Sequence, residues 1–171
     1  MSVLSSLQSI LNEVTQRFGQ RLESVCAAHP DEIYVHAKMD LVAGFTAHLC
    51  RRWQARLVSL FADDARLAGG AFHLYYVFAL DAAHGFIILR VPVPADQPEF
   101  ASLTNAVHAV NWQEREIQDL FGLKLIGHPN PRRCALHDDW PEVYPLRKEF
   151  DLKTKLPPFT GERHKFRPVE G

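Results

Sequence analysis

Up to about residue 121 the apolar positions are periodic, and beyond it they are not. Leu4, Leu7, Ile10, Leu11, Val14, Phe18, Leu22 and Val25 recur at helical spacing, which predicts a first helix over Val3–Ala28. Gly19 weakens its middle, and His29-Pro30 ends it. The stripe reads as a core face, with a partner-binding amphipathic helix as the other reading. Ile33–His36 is a short β-rich run, hence a strand. Leu41, Val42, Phe45, Leu49 and Trp53 predict a second helix, with Asp40 as its N-cap and Arg51 and Arg52 in its last turn. Three strands follow, at Arg56–Ala62, Phe72–Leu80 and Phe86–Val93, and their short links predict an antiparallel meander. Pro92 and Pro94 end the last strand or put its end at a sheet edge. Tyr75 and Tyr76 read as packing residues rather than ligand contacts.

A last helix carries Val107, Val110, Ile117, Leu120 and Phe121 on one face. Ser102, Thr104 and Asn105 are each competent caps, so its start is open; Gly122 closes it. Glu114 falls on the same apolar face, where an unpaired carboxylate is costly. It must sit at the edge, be paired, or be used. Arg115 and Asp119 are four apart and can pair, and Glu116 and Asp119 can share a cation. Such pairs contribute only about 0.2–0.5 kcal/mol on an exposed helix. Gly127-His128-Pro129-Asn130-Pro131 can continue neither a helix nor a central strand. Bidentate geometry predicts that Arg132, Arg133 and Arg147 fold back onto Glu114, Glu116 and Asp119. The plainer reading is a capped helix, a turn and a solvated charge cluster.

The fold class that follows is α+β. Two layers are expected: a small mixed sheet with a three-strand antiparallel meander, packed by helices, plus an extended proline-rich C-terminal arm. Residues 1–126 form the core domain and 127–171 the arm, which holds most of the 11 prolines. Lys153–Gly171 has little to bury and is expected to be flexible alone.

Composition narrows the function classes. A chain of 171 residues, 47% hydrophobic and 23% charged, supports one ordinary core. The net charge of -1 gives no general affinity for nucleic acid or anionic lipid. Acid is in excess up to residue 121 and base thereafter, which suits self-docking or an anionic partner surface. Cys26, Cys50 and Cys134 cannot all pair and form no Cys-x-x-Cys, as in a reducing cytosol. No run approaches the roughly 18–20 apolar residues of a membrane span, and the start lacks a leader pattern. Membrane association would come only through partners.

Two chemistries are candidates. His128, Cys134 and His137, followed by Asp138 and Asp139, offer metal-ligand types but no recurrent four-ligand spacing. Cys134 beside Arg132 and Arg133 suggests a stabilised thiolate. A small metal- or thiol-dependent enzyme on these three residues is therefore the alternative function. Cysteine quartets for iron–sulfur clusters and paired Cys-x-x-Cys motifs for nickel–iron are absent.

Glu114-Arg115-Glu116, Asp119, Gly122, Gly127-His128-Pro129 and Arg132-Arg133 resemble the signature of the 30-kilodalton-subunit family of respiratory complex I. Pro145-Leu146-Arg147-Lys148-Glu149-Phe150 continues the likeness, and Ser102-Leu103-Thr104 with Asn111-Trp112 extends it upstream. The family includes the N-terminal domain of the large subunit of membrane-bound nickel–iron hydrogenases of the formate hydrogenlyase type. Residues 137–144 depart from the Gly-Phe-x-Gly-like segment of complex I members, which leans toward the hydrogenase branch. Pro168–Gly171 looks like a junction to a following hydrogenase-like domain. The resemblance implies a non-catalytic assembly module of an NADH:quinone oxidoreductase or an energy-converting hydrogenase. It would dock the large, 49-kilodalton-like subunit and the small iron–sulfur subunit at the cytoplasmic face of the inner membrane. It would bind no cofactor itself, leaving NiFe or Fe–S clusters and quinone or NADH to those partners. The signature residues, with Pro145, Leu146, Arg147 and Lys148, would form or fix the partner interface.

Overall fold

The long N-terminal stripe is two elements rather than one. A computed structural model describes residues 3–138, 140–151 and 153. Helix α1 covers Val3–Phe18 and buries Leu7, Ile10, Val14 and Phe18. A short turn at Gly19–Arg21 follows, and the chain continues as strand β1, Leu22–His29. β1 pairs antiparallel with β2, Glu32–Ala37. The helix expected to reach Ala28 is thus corrected to end at Phe18. The register shifts between Leu22 and Ser24, so Leu22 and Val25 oppose Ala37 and Val35 on one face. A bulge lets residues three apart share a strand face, and that spacing imitates a helix.

A turn at Met39–Leu41 leads into α2, Val42–Trp53, which buries Val42, Phe45 and Leu49. Asp40 does not cap it. Its carboxylate accepts from Arg21 Nη2 at 2.8 Å, and the start of α2 has no side-chain cap. The meander is present as β3, Arg56–Asp64, β4, Ala71–Leu80, and β5, Gly85–Pro94, with a one-turn helix α3, Arg66–Gly69, between the first two. The sheet order is β1-β2-β5-β4-β3, and β2 pairs parallel with β5, which makes the sheet mixed. Pro92 and Pro94 lie in a central strand. The β2 register stops at Arg90, so beyond it β5 has β4 alone as neighbour and proline is tolerated.

The last helix, α4, is Asn111–Phe121, reached through a turn at His108–Val110. The starts expected at Ser102, Thr104 or Asn105 are corrected to Asn111, and Val107 lies outside the helix. Strands β6, Glu99–Ala101, and β7, Lys124–Ile126, flank α4 and pair parallel with each other. α1, α2 and α4 share one face of the large sheet. Ring contacts mark this packing: Phe18 on Phe45 at 5.4 Å, Phe45 on Phe78 at 6.2 Å, and Phe121 on Phe72 at 6.4 Å. The two-layer α+β architecture holds, and among the described residues no helix covers the other sheet face. Described residues 127–151 are neither helix nor strand. The tail expectations beyond Lys153, including the junction at 168–171, lie outside the described residues.

Candidate functional site

Glu114 opens the first turn of α4 and is 0% exposed. Three short donors meet it. Ser102 Oγ and Thr104 Oγ1 donate to Oε2 at 2.6 and 2.7 Å, and the Leu103 N–H donates to Oε1 at 2.6 Å. Two of the three residues expected to cap the helix, Ser102 and Thr104, thus serve a side chain inside it. Hydrogen bonds to a carboxylate are charge-assisted, which is how an apolar face tolerates one. His128 completes the enclosure. Its Nδ1 accepts the Asn130 N–H at 3.0 Å, which places the neutral ring's proton on Nε2. Nε2 faces Glu114 Oε2 at 3.9 Å, with both side chains fully buried. Tyr76 is enclosed in the same core, where burial, with Glu114's charge adding, pushes its phenol pKa up.

The outer side of α4 holds the following loop by its backbone. Asp119 Oδ2 accepts the amides of Cys134 and Ala135 at 2.8 and 2.9 Å, and that of Leu136 at 3.4 Å. Arg115 donates to the carbonyls of Arg132 and Arg133 at 2.7 and 3.0 Å, and Gln118 to that of Pro131 at 2.9 Å. One helix turn therefore supplies both donors and acceptors to residues 131–136.

The C-terminal end of α4 is closed by Gly122 at φ +68°. A Cβ there would fall 2.4 Å from the Tyr144 ring, so glycine is required twice over. Arg147 lies over that ring at 4.4 Å and donates to the Phe121 carbonyl at 2.6 Å, where a cation opposes the negative helix end. The Leu146 amide donates to the Leu120 carbonyl at 3.1 Å. The strap then reaches the sheet. Asp64 accepts the Lys148 amide at 2.9 Å, and Arg66 bridges Asp64 and Glu149. The Arg66 guanidinium, with the Lys148 amide, holds the Asp64 carboxyl well below the usual carboxylate range.

The expected lock of acids on guanidinium groups is corrected. Glu114 and Asp119 are met by hydroxyls and backbone amides, and Arg115 and Arg147 by carbonyls. Arg115 does not pair with Asp119. Glu116 and Arg132 are exposed, and Arg133 Nη1 is buried without a hydrogen-bond partner among the described residues. Backbone groups win because a loop lying on a helix has many of them to satisfy. Gly127 takes φ +76° to turn the chain into His128, while Pro129, Pro145 and Lys148 are partly or fully exposed. Asp64, Arg66 and Tyr144 carry no signal in the sequence; their partners lie too far along the chain for spacing to reveal. Ser102 and Thr104 are visible there, but as caps.

The metal and thiol reading loses its geometry. Among the described residues no three His, Cys, Asp or Glu side chains are gathered to hold a metal; Asp139 lies outside them. Burial, with Asp119 adding, pushes the Cys134 thiol up rather than stabilising its thiolate. Its Sγ points to the Trp112 carbonyl at 3.7 Å.

Residues 33–156 match the family described as the respiratory-chain NADH dehydrogenase 30 Kd subunit. The chain belongs to that family. It is 36% identical to hydrogenase-4 component G of Escherichia coli K12 over 77% of its length, and 36% identical to formate hydrogenlyase subunit 5 of the same organism over 80%. It spans about a quarter of those two relatives, 24% and 25% of their lengths. An NADH-quinone oxidoreductase subunit from Salinispora tropica is 30% identical over 83% of this chain and 59% of that one. The fold is shared with a chain of the membrane-bound sulfane sulfur reductase, an archaeal respiratory membrane complex, at TM-score 0.72 and 17% identity, covering 86% of each chain. A trypsin-resistant fragment of Nqo5 matches at TM-score 0.61 and 22% identity, covering 72% of this chain and 98% of that one. Among the described residues no helix is long and apolar enough to cross a membrane.

Proposed function

We propose that this family member is a non-catalytic assembly module of a membrane-associated respiratory complex. One observation carries the reading: four of the polar signature groups serve the chain's own backbone and hydroxyls, while large apolar side chains beside them face solvent. Glu114, Asp119, Arg115 and Arg147 all bind local hydroxyls, amides or carbonyls. Trp112 is 65% and Leu146 50% exposed on the surface they support. Groups engaged in this way order a loop rather than react with a substrate. A pre-ordered loop loses less entropy on docking, so an extended segment can bind specifically.

The partners we assign are the large, 49-kilodalton-like or hydrogenase-like subunit and the small iron–sulfur subunit, at the cytoplasmic face of the membrane. Nickel–iron or iron–sulfur clusters and quinone or NADH belong, on this reading, to those neighbours. The identity to hydrogenase-4 component G and formate hydrogenlyase subunit 5 favours a hydrogenase host over NADH:quinone oxidoreductase.

Asp119→Ala tests the reading in the complex that contains the chain. The amides of Cys134 and Ala135 should exchange faster, and recovery with the large and small subunits should fall at least ~10-fold, while the sheet core keeps its melting temperature. A loosened loop with wild-type recovery would refute the assembly role of this site.

A further inference from the structure

The sheet face turned away from the helices carries side chains that water serves poorly. In register across the strands, Tyr34 stands beside Ile88 and Val77, and Arg90 beside Tyr75 and Phe61. Phe61 is 46% and Phe86 39% exposed. Phe61 and Tyr75 stack at 4.9 Å with an 11° interplanar angle. Exposed aromatic surface of this kind marks a contact site. Five strands about 4.8 Å apart make a face roughly 20 Å across, room for two helices about 10 Å wide.

One charge indicates what would cover it. Arg90 Nη2 lies 2.9 and 3.1 Å from the two ring nitrogens of His73. Asp63, at the rim, is engaged by His73 at 3.2 Å and by the Tyr75 hydroxyl at 3.0 Å. Glu32 accepts from the Tyr34 hydroxyl at 3.1 Å. Among the described residues no carboxylate pairs with Arg90. A guanidinium on an apolar face is tolerable while water reaches it and costly once covered, unless the cover brings an anion.

We propose that this open face docks a second, different protein chain through an apolar surface that presents one aspartate or glutamate to Arg90. The inference rests on the assembly role proposed above and adds an interface separate from the α4 loop. A second copy of this chain fits poorly: it would bring another Arg90, and Asp63 and Glu32 on this face are already engaged. An anionic membrane fits poorly too, since Asp63 and Glu32 share the face and its other arginine, Arg56, is already paired with Asp81.

Hydroxyl-radical footprinting of the isolated chain and of the purified complex tests this. Modification of Phe61, Tyr75 and Phe86 should fall at least ~5-fold on assembly. Arg90→Glu should lower recovery of the chain with its complex at least ~10-fold without lowering its melting temperature, and Arg90→Lys should restore most of it. If Trp112 and Leu146 become protected while Phe61 and Phe86 stay reactive, the inference fails and the assembly role stands. If neither set is protected, both fail. Protection that arises in a homodimer of the isolated chain, seen by sedimentation, would overturn the inference in favour of a second copy.

Discussion

Glu114 and Arg90 are both charges on otherwise apolar surfaces, and the chain treats them differently. Glu114 is sealed inside, with Ser102, Leu103 and Thr104 donating to it within 2.7 Å. Arg90 sits on an open sheet face against the ring of His73, with no carboxylate of its own among the described residues. The first charge is satisfied from within and organises the α4 junction. The second is left for another molecule to satisfy. Full hydrogen bonding inside the core makes Glu114 scaffolding, whereas Arg90 is stable while water reaches it and needs a counter-charge only once covered.

The largest effect should come from emptying the sealed site. Glu114→Ala strands the buried Thr104 hydroxyl, the half-buried Ser102 hydroxyl and the Leu103 N–H, and should cost about 3–5 kcal/mol in chemical denaturation. A loss below about 1 kcal/mol would mean that the carboxylate is not what holds the junction. A smaller, pH-dependent effect should come from Asp64. Its carboxyl titrates lower in the folded chain than in the unfolded one, so its contribution is full above about pH 4 and declines as pH falls below that. Wild type should therefore lose stability on acidification, and Asp64→Asn should lose less over the same interval. The exchange rate of the Lys148 amide should rise with either change, and equal acid sensitivity of the two proteins would remove Asp64 from the strap. The smallest effect belongs to the open face. Phe61→Ser should shift the stability of the isolated chain by no more than about 0.5 kcal/mol. A loss of core size would show that the face is already covered and would dissolve the contrast with Glu114.

Much of this is legible along the chain. The meander shows as three apolar runs separated by short polar links, and the family shows in the spacing from Glu114 to Arg133 and in Pro145–Phe150. The junction is legible only as a problem. Glu114 on an apolar stripe demands a partner, and arginines are the obvious remedy because their charge is opposite. The actual remedy uses Ser102 and Thr104, whose hydroxyls look alike whether they cap a helix or serve a carboxylate. The strap is less legible still. Lys148 reaches Asp64 across 84 residues, and no local pattern signals such a contact.

Periodicity and short-range chemistry were sufficient to determine most element types, the two-layer class, the closure at Gly122 and the need to satisfy Glu114. They failed at β1, where a bulge gave a strand the spacing of a helix. Tertiary structure alone decided which donors reach Glu114 and Asp119, which end of the sheet receives the strap, and which side of it carries no helix among the described residues. Those outcomes depend on the parallel pairing of β2 with β5 and on packing between distant segments. Sequence spacing carries no direct record of such long-range geometry.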